Sequence, residues 1–265
     1  MPKQRLDTLL AERGLFPSRS RAAASVMAGE VCVGEGRRRA QKPGELVDVD
    51  TPVSIDERPR FVSRGGVKLA NALAASGMDP SGRRALDVGA STGGFTDCLL
   101  KRGVESVIAV DVGYGELAWS LRTDPRVTAL ERTNARTLDP TMLPYLADLA
   151  VIDVSFISLT KVLPAVCACL ASSHDILALV KPQFEVGRER LGKGGVVRSS
   201  EARRDALVKI GLAAMRLGES VLGLYGSGLP GPKGNRETFI WLTPGGHPAA
   251  LDEHGLLEAA LVAEP

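Results

Sequence analysis

The sequence predicts a mixed α/β chain in two parts: a small α+β unit, then a larger α/β domain whose parallel sheet is covered on both faces. Three observations predict it. After residue 61, short aliphatic runs alternate with helical stretches, the pattern of strand and crossover helix. Before it, two short helical patterns precede brief alternating strands around a basic turn. Between them, Asp56-Glu-Arg-Pro-Arg60 is charged and interrupted by proline, as a linker would be. The expected boundaries are 1–58, a linker at 59–64, and 65–265. A chain of 265 residues suits such a division, because single cores stop growing near about 250 residues.

Composition narrows the class. Apolar residues at 44% and charged residues at 24% exclude a disordered, collagen-like or disulfide-stapled polypeptide. The net charge of +2 is too small to make the whole molecule a nucleic-acid binder, but residues 1–42 carry nine Lys/Arg against four acids, a local 9 − 4 = +5. Cys32, Cys98, Cys167 and Cys169 form no C-x-x-C pair and the three histidines lie late, so no metal site is expected and a reducing cytoplasm fits best. No run approaches the ~18 apolar residues of a membrane helix, and the start lacks the apolar stretch of a secretory signal.

In order, the first unit reads as a helix at Arg5–Arg13 with Leu6, Leu9 and Leu10 on one face. A second follows at Ser18–Met27 with Ala23, Val26 and Met27, capped by Ser18 or Ser20. Val31–Val33 and Leu46–Val49 read as strands about the Gly34/Gly36 turn and Arg37-Arg38-Arg39. The second part places strands at Arg84–Val88, Ser106–Val112, Val127–Glu131, Asp148–Val154 and Ile176–Val180. Helices are expected at Gly66–Ser76, Gly94–Arg102, Gly115–Arg122, Ser158–Leu170 and Glu201–Leu217. Ser220–Gly226 and Glu237–Leu242 follow with no helix between them, which predicts an antiparallel pair at one edge. The segment Gly246–Pro265 receives no assignment.

The chemistry concentrates at strand ends. Asp87 ends a strand, and Gly89-Ala90-Ser91-Thr92-Gly93-Gly94-Phe95 then makes a glycine-rich turn into a helix, where backbone amides can approach a ligand. A dinucleotide site would want Gly at 89, 91 and 94, yet position 91 is Ser; the spacing G-x-x-x-G-G resembles the first motif of S-adenosylmethionine-dependent methyltransferases. Asp111 ends the next strand, where it can accept both ribose hydroxyls of an adenosine ligand. Asn134 could meet the adenine edge or cap a helix. Asp153 and Lys181 close two further strands, Lys68 precedes the sheet and Glu237 begins the last strand. Each alone reads as a surface charge; together they form a Lys, Asp, Lys, Glu set at one edge.

The segments Ser63-Arg-Gly-Gly-Val-Lys-Leu, Asp87-Val-Gly-Ala-Ser-Thr-Gly-Gly-Phe-Thr-Asp, Ile152-Asp-Val-Ser-Phe-Ile-Ser-Leu, Val180-Lys-Pro-Gln-Phe-Glu and Gly234-Asn-Arg-Glu, in that order, resemble the TlyA (haemolysin A-type) ribosomal RNA methyltransferases. The resemblance covers nearly the whole chain. It implies a Rossmann-like, seven-strand FtsJ-type domain using S-adenosylmethionine, with a catalytic tetrad of Lys68, Asp153, Lys181 and Glu237. It implies cytidine 2′-hydroxyls of small- and large-subunit ribosomal RNA as substrate, and an S-four-type RNA-binding domain over residues 1–58. Arg60-Phe-Val-Ser sits at the family's interdomain linker, with Phe61 where a bulkier aromatic is expected. In that setting Arg5, Arg19, Arg21, Arg37, Arg38 and Arg39 are expected on RNA phosphates, and aromatics at 4% of the chain predict that the first unit recognises RNA largely by shape and without extensive base stacking.

Methyl transfer to a hydroxyl needs in-line approach and loss of a proton, so Lys181 is the expected base. Lys68 would lower its proton affinity and Asp153 and Glu237 would raise it; alternatively a charged Lys181 orients the ribose or steadies an alkoxide. Asp153 should also lie beside the sulfonium. Two other classes remain open to test: a non-catalytic ribosome-assembly factor and a membrane-active haemolysin. The second requires an amphipathic or spanning segment, which short helices alternating with strands do not supply.

Overall fold

Strands written almost entirely in Ala, Val, Leu and Ile belong in the middle of a sheet with helices on both faces, and the second part of the chain is built that way. The computed structural model describes residues 3–27, 30–55, 60–231 and 233–264. The chain divides into two units, Met1–Arg60 and Phe61–Pro265. The expected linker residues 56–59 lie outside the described residues.

The first unit runs β1 (Lys3–Arg5), α1 (Leu6–Glu12), α2 (Arg19–Met27), β2 (Val31–Val33), β3 (Arg38–Arg39), β4 (Leu46–Asp48) and β5 (Val53–Ile55). β1 pairs antiparallel with β4, and β2 lies between β3 and β5. Its core gathers Leu6, Leu9 and Leu10 of α1 with Ala22, Val26, Val31, Val33, Ala40 and Val47. Arg5 pairs in β1 with Leu46 instead of opening the helix; Lys3-Gln-Arg has no apolar alternation to announce a strand. Ser18 does cap α2, accepting from the Arg21 amide at 3.2 Å. The buried stripe of α2 is Ala22, Ser25 and Val26, so Met27 points outward.

The second unit comprises α3 (Arg64–Ser76), β6 (Arg84–Val88), α4 (Gly94–Lys101), β7 (Ser106–Val110), α5 (Trp119–Arg122) and β8 (Val127–Leu130). It continues with β9 (Ala147–Ile152), α6 (Leu163–Ala168), β10 (Leu170–Val180), α7 (Pro182–Glu185), α8 (Ser200–Arg216), β11 (Glu219–Gly226), β12 (Thr238–Pro244) and α9 (Glu253–Ala263). The seven strands lie in the order β11-β12-β10-β9-β6-β7-β8. From β10 to β8 every neighbour is parallel, while β12 runs antiparallel to both β10 and β11. Alternate side chains feed two cores: Leu86, Val88, Ile152, Ala178 and Val180 pack with α6, α8 and α9, whereas Ala85, Val151, Leu177 and Leu179 pack with α3 and α4.

The structure departs from the sequence expectations at several places. The helix at 115–122 is one turn, α5, because Gly115 at φ +74° breaks the segment. The stretch 158–170 is a 3-10 turn, Leu159–Lys161, followed by short α6. β10 starts at Leu170, since Ser172-Ser-His174 extend it in polar residues and its pairing with β9 shifts register before Asp175. The unassigned C-terminal segment forms α9, capped by Asp252 accepting from Gly255 at 2.7 Å, and buries Leu256 and Ala260. Phe61, expected in the linker, is packed in the second core beneath α3.

At the amino-terminal ends of the parallel strands, Arg83 reaches Asp148 and Asp175, each at 3.0 Å, and the Trp241 indole donates to Asp175 at 2.8 Å. That end is cross-linked; the opposite end is open. Among the described residues, no helix is long and apolar enough to cross a membrane and no metal-holding group of His, Cys, Asp or Glu occurs.

Candidate active site

Strand order reverses between β6 and β9, and the loops leaving β6, β7 and β9 part there to form a crevice, the usual ligand position in such sheets. The turn after β6 depends on glycine at two positions. Gly89 has φ +87°, and a Cβ on it would stand 2.6 Å from the Asp153 carbonyl. Gly93, at φ +92°, would drive a Cβ into Leu121 and Leu117. Its need is therefore packing and the entry into α4, not approach to a ligand.

A cleft of about 350 Å³ opens beside this turn, lined by Gly89, Ser91, Asp111, Asn134, Asp153 and Phe156 among others. The Asp111 carboxylate accepts from the Ser91 amide at 2.8 Å and the Gly113 amide at 2.7 Å, one bond on each oxygen. Each oxygen keeps a lone pair, so the group is aimed and still able to accept two hydroxyls. The cap reading of Asn134 holds, its side chain accepting from the Arg136 amide at 3.0 Å at a 3-10 turn, and the residue also borders the cleft. This donor set and volume fit an adenosine-bearing ligand such as S-adenosylmethionine.

Asp87 is corrected. It is fully buried below the turn, accepts from the Thr96 hydroxyl at 2.6 Å and lines none of the crevice cavities. Burial pushes its pKa up to about 7. Phe95 is chiefly a core residue, its ring 5.8 Å from Phe239, although with Ala90, Thr92 and Gly94 it borders a cavity of about 460 Å³.

The four expected tetrad residues do converge, as two ion pairs. Lys68 Nζ stands 2.5 Å from Glu237 Oε2, with side chains 8% and 1% exposed. Lys181 Nζ stands 2.5 Å from Asp153 Oδ1, off the line of a hydrogen bond, and donates to the Ser155 hydroxyl at 2.9 Å. Glu237 Oε1 is buried and receives no hydrogen bond. All four line a cavity of about 470 Å³, and Asp153 borders the Asp111 cleft as well.

Sequence reasoning passed over Ser155, Phe156, Gln183 and Asn235, which line the same cavity. Phe156 is the most telling: 92% exposed, at φ +65°, its ring 5.2 Å from Phe184, on the border of both cavities. An apolar residue inside a polar strand exit was the available signal.

All six arginines proposed for RNA are exposed, yet they differ in partners. Arg5 pairs with Asp7 at 2.7 Å and Arg19 reaches the same carboxylate at 3.3 Å; the Arg5 hydrogen bond and Arg19 hold the Asp7 pKa down at about 2. Arg38 pairs with Glu45 at 2.9 Å. Arg37 turns the β2–β3 connection at φ +50°, and Arg39 lies on the β3 strand.

The FtsJ-like methyltransferase profile matches residues 61–243, and that of the S4 domain matches residues 4–53. The chain belongs to the FtsJ-like methyltransferase family. Among FtsJ-like relatives, it is 49% identical over 242 residues to the 16S/23S rRNA (cytidine-2'-O)-methyltransferase TlyA of Mycobacterium tuberculosis, covering 91% of this chain and 90% of that one. Hemolysin A of Brachyspira hyodysenteriae is 37% identical over 234 residues, covering 88% and 97%. The solved structure of a hemolysin candidate from Streptococcus thermophilus superposes with a TM-score of 0.74 at 42% identity, covering 99% and 96%.

Proposed function

We propose that this FtsJ-like methyltransferase transfers a methyl group from S-adenosylmethionine to cytidine 2′-hydroxyls of ribosomal RNA, in small or large subunits, in the cytoplasm. In this reading residues 1–58 dock RNA and 65–265 carry catalysis. The observation that carries it is the sharing of Asp153: one carboxylate borders both the cleft holding Asp111 and the cavity holding Lys68, Lys181 and Glu237. A donor in the first and a ribose in the second would meet at that side chain.

The bound cofactor supplies an electrophilic sulfonium methyl. Gly89, Ser91, Asp111 and Asn134, which line the cleft, would hold it. Lys181, as the neutral amine, would take the proton from the ribose oxygen, and Asp153 and Ser155 fix where that amine points. Lys68 and Glu237, paired with each other, line the same cavity and would help to fix the position of the ribose. Phe156 offers an exposed face on which an unstacked base can rest. Arg5, Arg19, Arg21, Arg37, Arg38 and Arg39 would contact phosphates.

Mapping of 2′-O-methyl sites in ribosomal RNA, with and without the protein, tests the substrate. Single-turnover transfer tests the base: Lys181→Ala should lower the rate about 10²–10⁴-fold with cofactor affinity unchanged. Lys181→Arg should not restore it, because guanidinium holds its proton. A fully active Lys181→Arg enzyme would leave only a charge requirement at that position.

A further inference from the structure

The segment Val180-Lys-Pro-Gln-Phe-Glu185 ends in an acid that the chemistry above leaves unused. Glu185 closes α7 and is 6% exposed. Its Oε2 accepts from the Ser158 hydroxyl at 2.5 Å and its Oε1 accepts from the Leu159 amide at 2.8 Å. Lys209 of α8 donates to its main-chain carbonyl at 2.6 Å and approaches its carboxylate at 3.4 Å. Burial pushes its pKa upward while Ser158, Leu159 and Lys209 oppose that shift. A buried acid is costly to keep, so its partners matter.

Those partners connect it to the catalytic loop. Residues 153–159 carry Asp153, Ser155 and Phe156, and Glu185 lies four positions beyond Lys181. The two segments meet at successive levels: Lys181 with Asp153 and Ser155, Phe184 with Phe156, and Glu185 with Ser158 and Leu159. The first contacts border the open cavity; the last is the buried anchor. Phe156 at φ +65° adds the reason an anchor is required, since a left-handed non-glycine residue persists only where its surroundings over-determine it.

We propose that Glu185 is a positioning residue, which fixes loop 153–159 through Ser158 and Leu159 so that Asp153 and Ser155 meet the Lys181 amine. The proposal rests on the catalytic reading of Lys181. Two variants test it: Glu185→Gln, which keeps volume and an acceptor for Leu159 but loses the charge, and Ser158→Ala, which removes the hydroxyl that donates to Glu185 together with its cap on the Thr160 amide and its contact with the Thr160 hydroxyl.

Amide hydrogen exchange of the ligand-free protein is read first. Exchange across 154–159 should rise at least tenfold in Glu185→Gln, and less in Ser158→Ala, with β6, β7 and β9 unchanged. Single-turnover methyl transfer at saturating S-adenosylmethionine and ribosomal subunits should then fall about 10–100-fold, with KM for each substrate within twofold of wild type. Unchanged loop exchange overturns the proposal whether or not the protein methylates RNA. Faster exchange with a wild-type saturated rate, or a loss confined to KM, overturns it as well. If Glu185→Gln does not fold, Ser158→Ala decides by the same readouts. An active Lys181→Ala enzyme would instead refute the catalytic reading, and the exchange result would still judge the anchor.

Discussion

Removing Lys68 exposes what the candidate site costs the fold. Lys68 and Glu237 are 8% and 1% exposed in their side chains, and the second Glu237 oxygen already lacks a partner. Lys68→Met therefore leaves a buried carboxylate with neither oxygen paired, the case in which breaking a buried pair costs about 3–5 kcal/mol. For a unit of this size each kcal/mol moves the midpoint by about 2–4 °C, so the transition should fall by about 6–20 °C. Lys68→Met with Glu237→Leu removes both charges and fills the space with apolar atoms. That double variant should regain most of the loss, or exceed wild type by about 1–4 kcal/mol, while remaining inactive. Urea unfolding followed by Trp241 fluorescence, with Trp119→Phe in every protein to leave a single reporter, measures all three. A Lys68→Met protein with the wild-type midpoint, or a double variant as unstable as the single, would refute the reasoning.

Asp111→Ala should weaken cofactor binding by about 1–3 kcal/mol, because ribose hydroxyls lose a pre-aimed acceptor; calorimetry giving equal affinities would remove Asp111 from the site. Replacing Arg37, Arg38 and Arg39 by Ala should lower affinity for ribosomal subunits and reduce the log-log salt slope by up to roughly one unit per lost phosphate contact; an unchanged slope ends that assignment. Asp87 contributes a pH dependence of defined sign. Its folded pKa of about 7 lies above the ordinary 3.8, so its support for the fold is complete below that lower value and is lost as pH rises toward 7. Asp87→Asn should flatten the stability profile across that window, and a profile identical to wild type would show that the buried acid is not its source.

The parallel strands were legible because burial on both faces demands nearly continuous aliphatic sequence, and 84–88, 106–110 and 147–152 have it. The start of β10 was not, since Ser172, Ser173 and His174 lie at a sheet margin where polar residues are permitted. The strand-end charges were readable as a group, but not the pairing of Lys68 with Glu237 and of Lys181 with Asp153, which depends on the distance between loops. Asp87 shows the opposite limit: an acid at a strand end looks available to a ligand until the pleat turns it inward. Phe156 owes its prominence to a left-handed backbone and to solvent exposure, and neither is written in residue identity. The C-terminal helix was hidden because much of its apolar surface faces outward, at Leu257, Leu261 and Val262, and gives no clean amphipathic period.

The separation of Lys68 from Glu237 along the chain also sets when the site can exist. Glu237 adjoins β12, the last strand to be made, which must insert between β10 and β11. The partners are 169 residues apart, so at about 5–20 residues per second a translating ribosome releases the second roughly 8–34 s after the first. During that interval the growing chain can close β6 to β9 and form the Asp111 cleft, yet it holds Lys68 without its counter-ion. A polypeptide interrupted before the final hairpin would thus present a ligand-binding crevice with one of its four charged groups, Glu237, missing. Translation to the end is the step that arms it.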